Sequence, residues 1–251
     1  MKRVLLAGIT FAAIAVGPVL AADMPRKAPM MAPAPVFSWT GCYIGGHGGG
    51  AWSRQDVNVN PTGVGNQAPS PLTLTASGGV VGGQVGCNVQ LGRVVIGGEG
   101  DWSSTHLNSS ATAPNLFFNG LPVGSGGISV TSNTEWLASV RIRMGFAVVP
   151  TVLAYVTAGP AWQHTNYTAL DAFQGGCPNC ATASFSSNNP GLAVGGGVEW
   201  APMSNGILLR AEYLFYDLPG GTHPLNVSGT NTFAQSDLKV SVARAGVSFK
   251  F

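Results

Sequence analysis

From residue 40 onward the sequence alternates apolar and polar residues over stretches of about ten, and successive side chains of a strand point to opposite faces. Eight such stretches stand out, near residues 40–52, 77–91, 94–106, 133–148, 152–164, 191–200, 207–217 and 237–251. After the first two dozen residues no window holds the ~20 consecutive apolar residues that a spanning helix needs, so a helical membrane protein is excluded. Charged residues make up 9% of the 251, against about 25% in a soluble globular domain, which argues against an ordinary soluble enzyme. The 36 glycines follow no Gly-X-Y period, and 45% hydrophobic residues are too many for a disordered chain. The formal charge of +2 comes with no basic patch, so a nucleic-acid partner has no support.

The connections between stretches alternate in length. Gly92-Arg93, Val149-Pro150-Thr151 and residues 201–206 are tight, whereas residues 54–76, 107–132, 165–190 and 218–236 are long. In an up-and-down antiparallel barrel alternate connections emerge at opposite rims, so one rim carries every tight turn and the other every long loop. The fold class expected is all-β, an eight-stranded antiparallel up-and-down transmembrane β-barrel.

The two faces of each stretch differ sharply. In the fourth, Trp136, Ala138, Val140, Ile142, Met144 and Phe146 alternate with Glu135, Leu137, Ser139, Arg141, Arg143 and Gly145. With the apolar face inward the protein would be a soluble lipocalin-like barrel. The polar faces, however, are rich in small residues that suit a crowded interior, and aromatic residues gather near strand ends as interfacial girdles do. Turned inward, the polar faces bring Glu99, Asp101, Glu135, Glu199 and Glu212 against Arg141, Arg143, Arg210, Arg244 and Lys250. Buried charges persist only when paired, and eight strands leave a bore that side chains fill, so this balanced set is expected to form a lumen ion-pair plug. Arg141 is expected to meet Glu99 or Asp101 across neighbouring strands.

The N-terminal region reads as targeting. Residues 1–21 form a signal peptide, with Lys2-Arg3 before an apolar run from Val4 to Val16 and cleavage after Ala21 or, alternatively, Ala22. Residues 22–38, with Pro25, Pro29, Pro33 and Pro35, read as an extended periplasmic linker, and residues 39–251 as the barrel.

In an exported chain Cys42, Cys87, Cys177 and Cys180 fit two disulfides, with three connectivities open. Cys42 and Cys87 lie near the tight-turn end of adjacent strands, both facing lipid, where antiparallel pairing could set them side by side. Cys177-Pro178-Asn179-Cys180 has redox-dithiol spacing but no helix N-terminus to activate a thiolate, which favours a small loop-closing disulfide. His47, His106, His164 and His223 are scattered, with His106 and His164 near the loop rim. No catalytic His-Ser-acid set, metal-ligand set or cofactor motif is legible.

The segments 39–45, 82–88, 96–101, 140–146, 210–218 and 246–251 resemble the small porin-family outer-membrane immunogenic proteins of alpha-proteobacteria, a family similar to the transmembrane domain of outer-membrane protein A. The resemblance covers residues 39–251 and lapses in the loops. The chain departs from it in carrying Cys42 and Cys87 where aromatic residues are usual. It implies location in the bacterial cell outer membrane, contact with outer-membrane lipid and lipopolysaccharide, a surface antigen, and an aromatic terminal pattern, Phe249 and Phe251, read by the barrel-assembly machinery. The expected role is structural and non-enzymatic, serving envelope integrity and surface interaction through loops that meet a host or cell-surface ligand. The alternative is a narrow passive porin for small solutes.

Overall fold

The computed structural model describes residues 37–61, 72–113, 117–118, 121–122, 127–172, 182–188, 190–203, 205–225 and 231–251. The expected signal peptide, the linker up to residue 36, and Cys177 and Cys180 lie outside the described residues. Eight long strands form the wall: β1 (Gly41–Pro61), β2 (Leu72–Leu91), β3 (Val94–Ala113), β4 (Gly127–Val149), β5 (Val152–Ala172), β6 (Gly191–Trp200), β7 (Ile207–Leu218) and β8 (Asn231–Lys250). Each pairs antiparallel with its sequence neighbours, and β1 pairs with β8 from Tyr43↔Lys250 to Pro61↔Asn231, closing the ring. Closure leaves no free edge in the membrane-spanning part, where lipid offers no hydrogen bonds to unpaired backbone.

The turns are as tight as expected. β2 and β3 are joined by Gly92-Arg93, with Gly92 at φ 63°, the left-handed conformation that a two-residue hairpin turn favours. Gly206, at φ 84°, ends the turn into β7 and accepts the Lys250 N–H at 2.8 Å.

The strands are longer than the sequence suggested, because much of the expected loop is strand. β1 runs on to Pro61, β3 to Ala113 and β5 to Ala172, while β2 starts at Leu72, β4 at Gly127 and β8 at Asn231. Where its side chains are described, the β2 extension still alternates, but with Thr73, Thr75 and Ser77 outward, so it carries no lipid-facing signature. Shorter strands extend the loop side: Phe117–Phe118 pairs with Leu121–Pro122, Thr182–Ser187 with β5, and Thr222–Leu225 with β8.

The lipid-facing band is bounded by aromatics. Phe146, Trp200, Phe249 and Phe251 face out on the turn side, and Trp52, Trp102 and Trp162 on the loop side. On β4, Trp136 and Phe146 lie ten residues apart, which at ~3.3 Å per residue and ~40° tilt is ~25 Å, the height of an outer-membrane apolar band. Above Trp136 the wall continues, polar on its outer surface.

Candidate functional site

The interior is layered. At the turn-side mouth, Phe37–Thr40 folds into the barrel. Trp39, fully buried, packs on Val95, Ala147, Leu153, Ala201 and Leu208, with Phe37 edge-on to it at 5.0 Å. Its backbone N–H donates to Gln90 Oε1 (2.7 Å) and its indole N–H to the Pro150 carbonyl (3.1 Å). Phe37 falls in the stretch read as linker, and Trp39 opens the segment read as barrel, but both precede the first alternating stretch, so alternation assigns neither a place in the lumen. Their only signal is two aromatics beside a proline tract.

Above this stopper lies the charged layer. Three ion pairs are direct cross-strand partners, Glu99↔Arg141, Glu199↔Arg210 and Glu212↔Arg244. Arg141 Nη2 lies 2.8 Å from both Glu99 Oε1 and Asp101 Oδ2, and its Nη1 lies 3.2 Å from Glu212 Oε1. Arg210 Nη2 bridges Glu99 and Glu199 at 2.6 Å each, Arg143 reaches Glu199 at 3.0 Å, and Arg244 reaches Glu212 at 2.7 Å and Asp101 at 3.3 Å. None of these eight side chains is more than 2% exposed. Four carboxylates therefore face four guanidiniums, and Arg forks suit such multi-centre pairing. Tyr43 donates to Glu99 (2.5 Å) and Tyr155 to Glu212 (3.2 Å), and the Arg143 guanidinium lies 4.0 Å over the Tyr155 ring.

Two residues expected in this layer lie elsewhere. Glu135 faces outward, because the pairing slips between Thr134 and Trp136 on the β5 side and between Ser104 and Leu107 on the β3 side. Such a bulge puts two consecutive residues on one face, and Glu135 instead accepts from Asn166 Nδ2 at 2.7 Å. Lys250 sits at the turn-side rim, its ammonium 5.4 Å from the Phe37 ring centroid. It is the last residue of β8, below the charged layer.

His47 lies beside this layer. Arg244 Nη1 donates to its Nε2 (3.1 Å), which makes Nδ1 the protonated nitrogen, donating to Gln84 Oε1 at 2.5 Å. Ser103 Oγ is 2.8 Å from the same Nε2. The trio imitates a nucleophile, base and orienting group, but the Nε2 lone pair is engaged by Arg244 and all three side chains are buried. The arrangement is that of a packed polar layer. Among the described residues no group of three or more His, Cys, Asp or Glu is disposed to hold a metal ion.

A third, apolar layer closes the loop-side end of the charges. Every wall strand contributes to it, with Ala51, Val80, Leu107, Leu137, Ala161, Ala193, Leu214 and Val240 among its members. The inward face of the fourth stretch already carried Leu137 among its polar residues, and the register gathers such residues into one level, so that the charged layer is held between two apolar ones.

Cys42 and Cys87 are direct partners between β1 and β2 and are joined by a disulfide on the outer face. The Cys42 carbonyl accepts the Phe251 N–H at 2.9 Å, so the bond sits beside the β8–β1 seam. Closing a loop 45 residues long, it is expected to contribute about 2–4 kcal/mol. Urea unfolding with and without reductant measures this, and coincident transitions would mean the bond does not constrain the unfolded chain. The Phe249 and Phe251 rings face outward at the turn-side rim.

A closed ring of eight strands, apolar outside over one membrane thickness and charge-paired within, defines an outer-membrane β-barrel. Residues 10–251 match the outer membrane protein beta-barrel domain family, and the chain belongs to that family and to the bacterial outer membrane. It is 32% identical over 261 residues to a 31 kDa outer-membrane immunogenic protein of Brucella melitensis, covering 100% of both chains. It is 26% identical over 229 residues to a 25 kDa outer-membrane immunogenic protein of Brucella abortus, covering 90% of this chain and 87% of that one. Among solved structures it is similar to the outer membrane protease OmpT of Escherichia coli, with a TM-score of 0.50 and 8% identity over 87% of this chain and 99% of that chain, a likeness of fold alone.

Proposed function

We propose that the protein is a closed, structural barrel that supports the outer membrane and presents its loop-side wall at the cell surface, without a conducting lumen or enzymatic activity. The observation that carries this reading is the sealed charge layer, eight side chains no more than 2% exposed between the Trp39 stopper and the Leu107–Leu137–Leu214 layer. Hydrated ions would have to cross two apolar layers and separate ion pairs that stabilise one another only in contact. The immunogenic character of the relatives, together with strands that rise past the apolar band, supports exposure of the loop-side surface. Removal of the protein from cells is expected to raise leakage of periplasmic enzymes and sensitivity to detergent while leaving uptake of small sugars unchanged. Slowed uptake with an intact envelope would favour the narrow passive porin instead.

A further inference from the structure

The outer wall of β1–β5 is not a smooth apolar cylinder. Cross-strand pairing places Gly83, Trp102, Ala138 and Trp162 in one row, and Ile44, Val85, Gly100 and Val140 in the next row toward the turns. Small and bulky residues thus alternate along the first row, and Gly100 opens a gap between Val85 and Val140 in the second. The result is a groove of about 470 Å³ with Trp102, Trp162, Ile44, Val85 and Val140 for walls and Gly83 and Gly100 in its floor. The groove is open along the lipid-facing surface, and its wall side chains are apolar and exposed.

A polar crown stands at the loop-side end of this groove. Trp136 and His164 are cross-strand partners one step above Ala138 and Trp162, and their rings stack at 6.0 Å and 11°. The same bulge that turned Glu135 outward puts its carboxylate here, 4.0 Å from His164 Nε2 and bonded to Asn166. Asn188 Oδ1 lies 2.6 Å from His164 Nδ1. A carboxylate, an imidazole, two carboxamides and an indole therefore meet at the outer-leaflet interface, where amphipathic anchors belong. β3, β4, β5 and Thr182–Ser187 present no outward Lys or Arg among their described residues, so no permanent cation stands beside Glu135 to pair with a phosphate.

We propose that this face is a binding site for a glycolipid of the outer leaflet, with an acyl chain in the groove and sugar hydroxyls on the crown. The mixed donors and acceptors of Glu135, His164, Asn166 and Asn188 match hydroxyls, and the aromatic faces match the apolar side of a sugar ring.

The test is native mass spectrometry of the full-length protein released from phosphatidylcholine nanodiscs that carry a diacyl glucosylglycerol or, separately, phosphatidylglycerol with the same acyl chains. The wild type is expected to retain the glucosyl lipid at least tenfold over phosphatidylglycerol. Gly100→Leu fills the groove from its floor; a Cβ there meets only the Ser139 carbonyl at 3.9 Å, so the wall is undisturbed, and retention of the glucosyl lipid is expected to fall at least tenfold. Glu135→Ala with Asn166→Ala, outside the apolar band, is expected to abolish the preference between the two lipids while tail binding persists. Unboiled gel mobility confirms that each variant is folded. Retention unaffected by Gly100→Leu, equal retention of both lipids by the wild type, or a wild-type dimer that Gly100→Leu converts to monomer without changing lipid retention would each overturn the assignment, the last by giving the face to a second copy of the chain.

Discussion

Arg141→Ala is expected to destabilise the barrel by about 3–5 kcal/mol, the usual cost of stranding one side of a buried ion pair. Arg141 is fully buried and is the one arginine that reaches Glu99, Asp101 and Glu212 at 3.2 Å or less. Its loss leaves four carboxylates facing three guanidiniums in a layer closed at both ends. The three carboxylates are not equally stranded. Glu99 keeps Arg210 at 2.6 Å and Glu212 keeps Arg244 at 2.7 Å, whereas Asp101 keeps Arg244 at 3.3 Å together with the Ser139 hydroxyl at 2.8 Å. Asp101→Asn should therefore restore more stability in the Arg141→Ala background than Glu99→Gln does, and both should restore some, because contacting residues couple non-additively. Urea unfolding in lipid vesicles measures all four proteins. A neutral Arg141→Ala would mean that the layer is hydrated and its charges screened, and the plug would be lost as an explanation.

The second large effect is expected at Trp39. Replacing a fully buried Trp by Ala typically costs about 3–5 kcal/mol, and here it also removes the donor to Pro150 and unseats Phe37. Trp39→Phe keeps most of the packing and gives up one hydrogen bond, about 1 kcal/mol. The expected order of unfolding midpoints is wild type, then Trp39→Phe, then Trp39→Ala. Equal midpoints for wild type and Trp39→Ala would show that the segment merely rests on the mouth. Trp39→Ala alone should not produce conductance, since the charged and Leu-rich layers lie beyond it.

The wall was legible in the sequence because period-two alternation is the direct imprint of a two-faced strand, and because Val140, Ile142 and Met144 against Arg141 and Arg143 mark which face meets lipid. The pairing of Glu99 with Arg141 was legible for the same reason, both being inward on neighbouring strands. Glu135 was misplaced because a bulge inverts the alternation without any residue that marks it; Trp136 simply follows it on the same side. Lys250 was misplaced because alternation gives the face of a residue but not its depth along the axis. The upper parts of β2, β3 and β4 were hidden because, above the bilayer, outward Thr and Ser such as Thr75, Ser110 and Thr131 replace the apolar signature while the backbone pairing continues. The apolar lumen layer was hidden because Leu137 stands alone among polar residues of its face until register brings it to one level with Leu107, Leu214 and Val240.

The most direct test of a closed barrel is the current through the wild-type protein in a planar bilayer. With the disulfide intact and the insertion of folded protein verified by gel mobility, the sealed lumen should give no steady channel current above the bilayer baseline. A stable open level of large conductance, present in every insertion and scaling with salt concentration, would contradict it and make the lumen a pore.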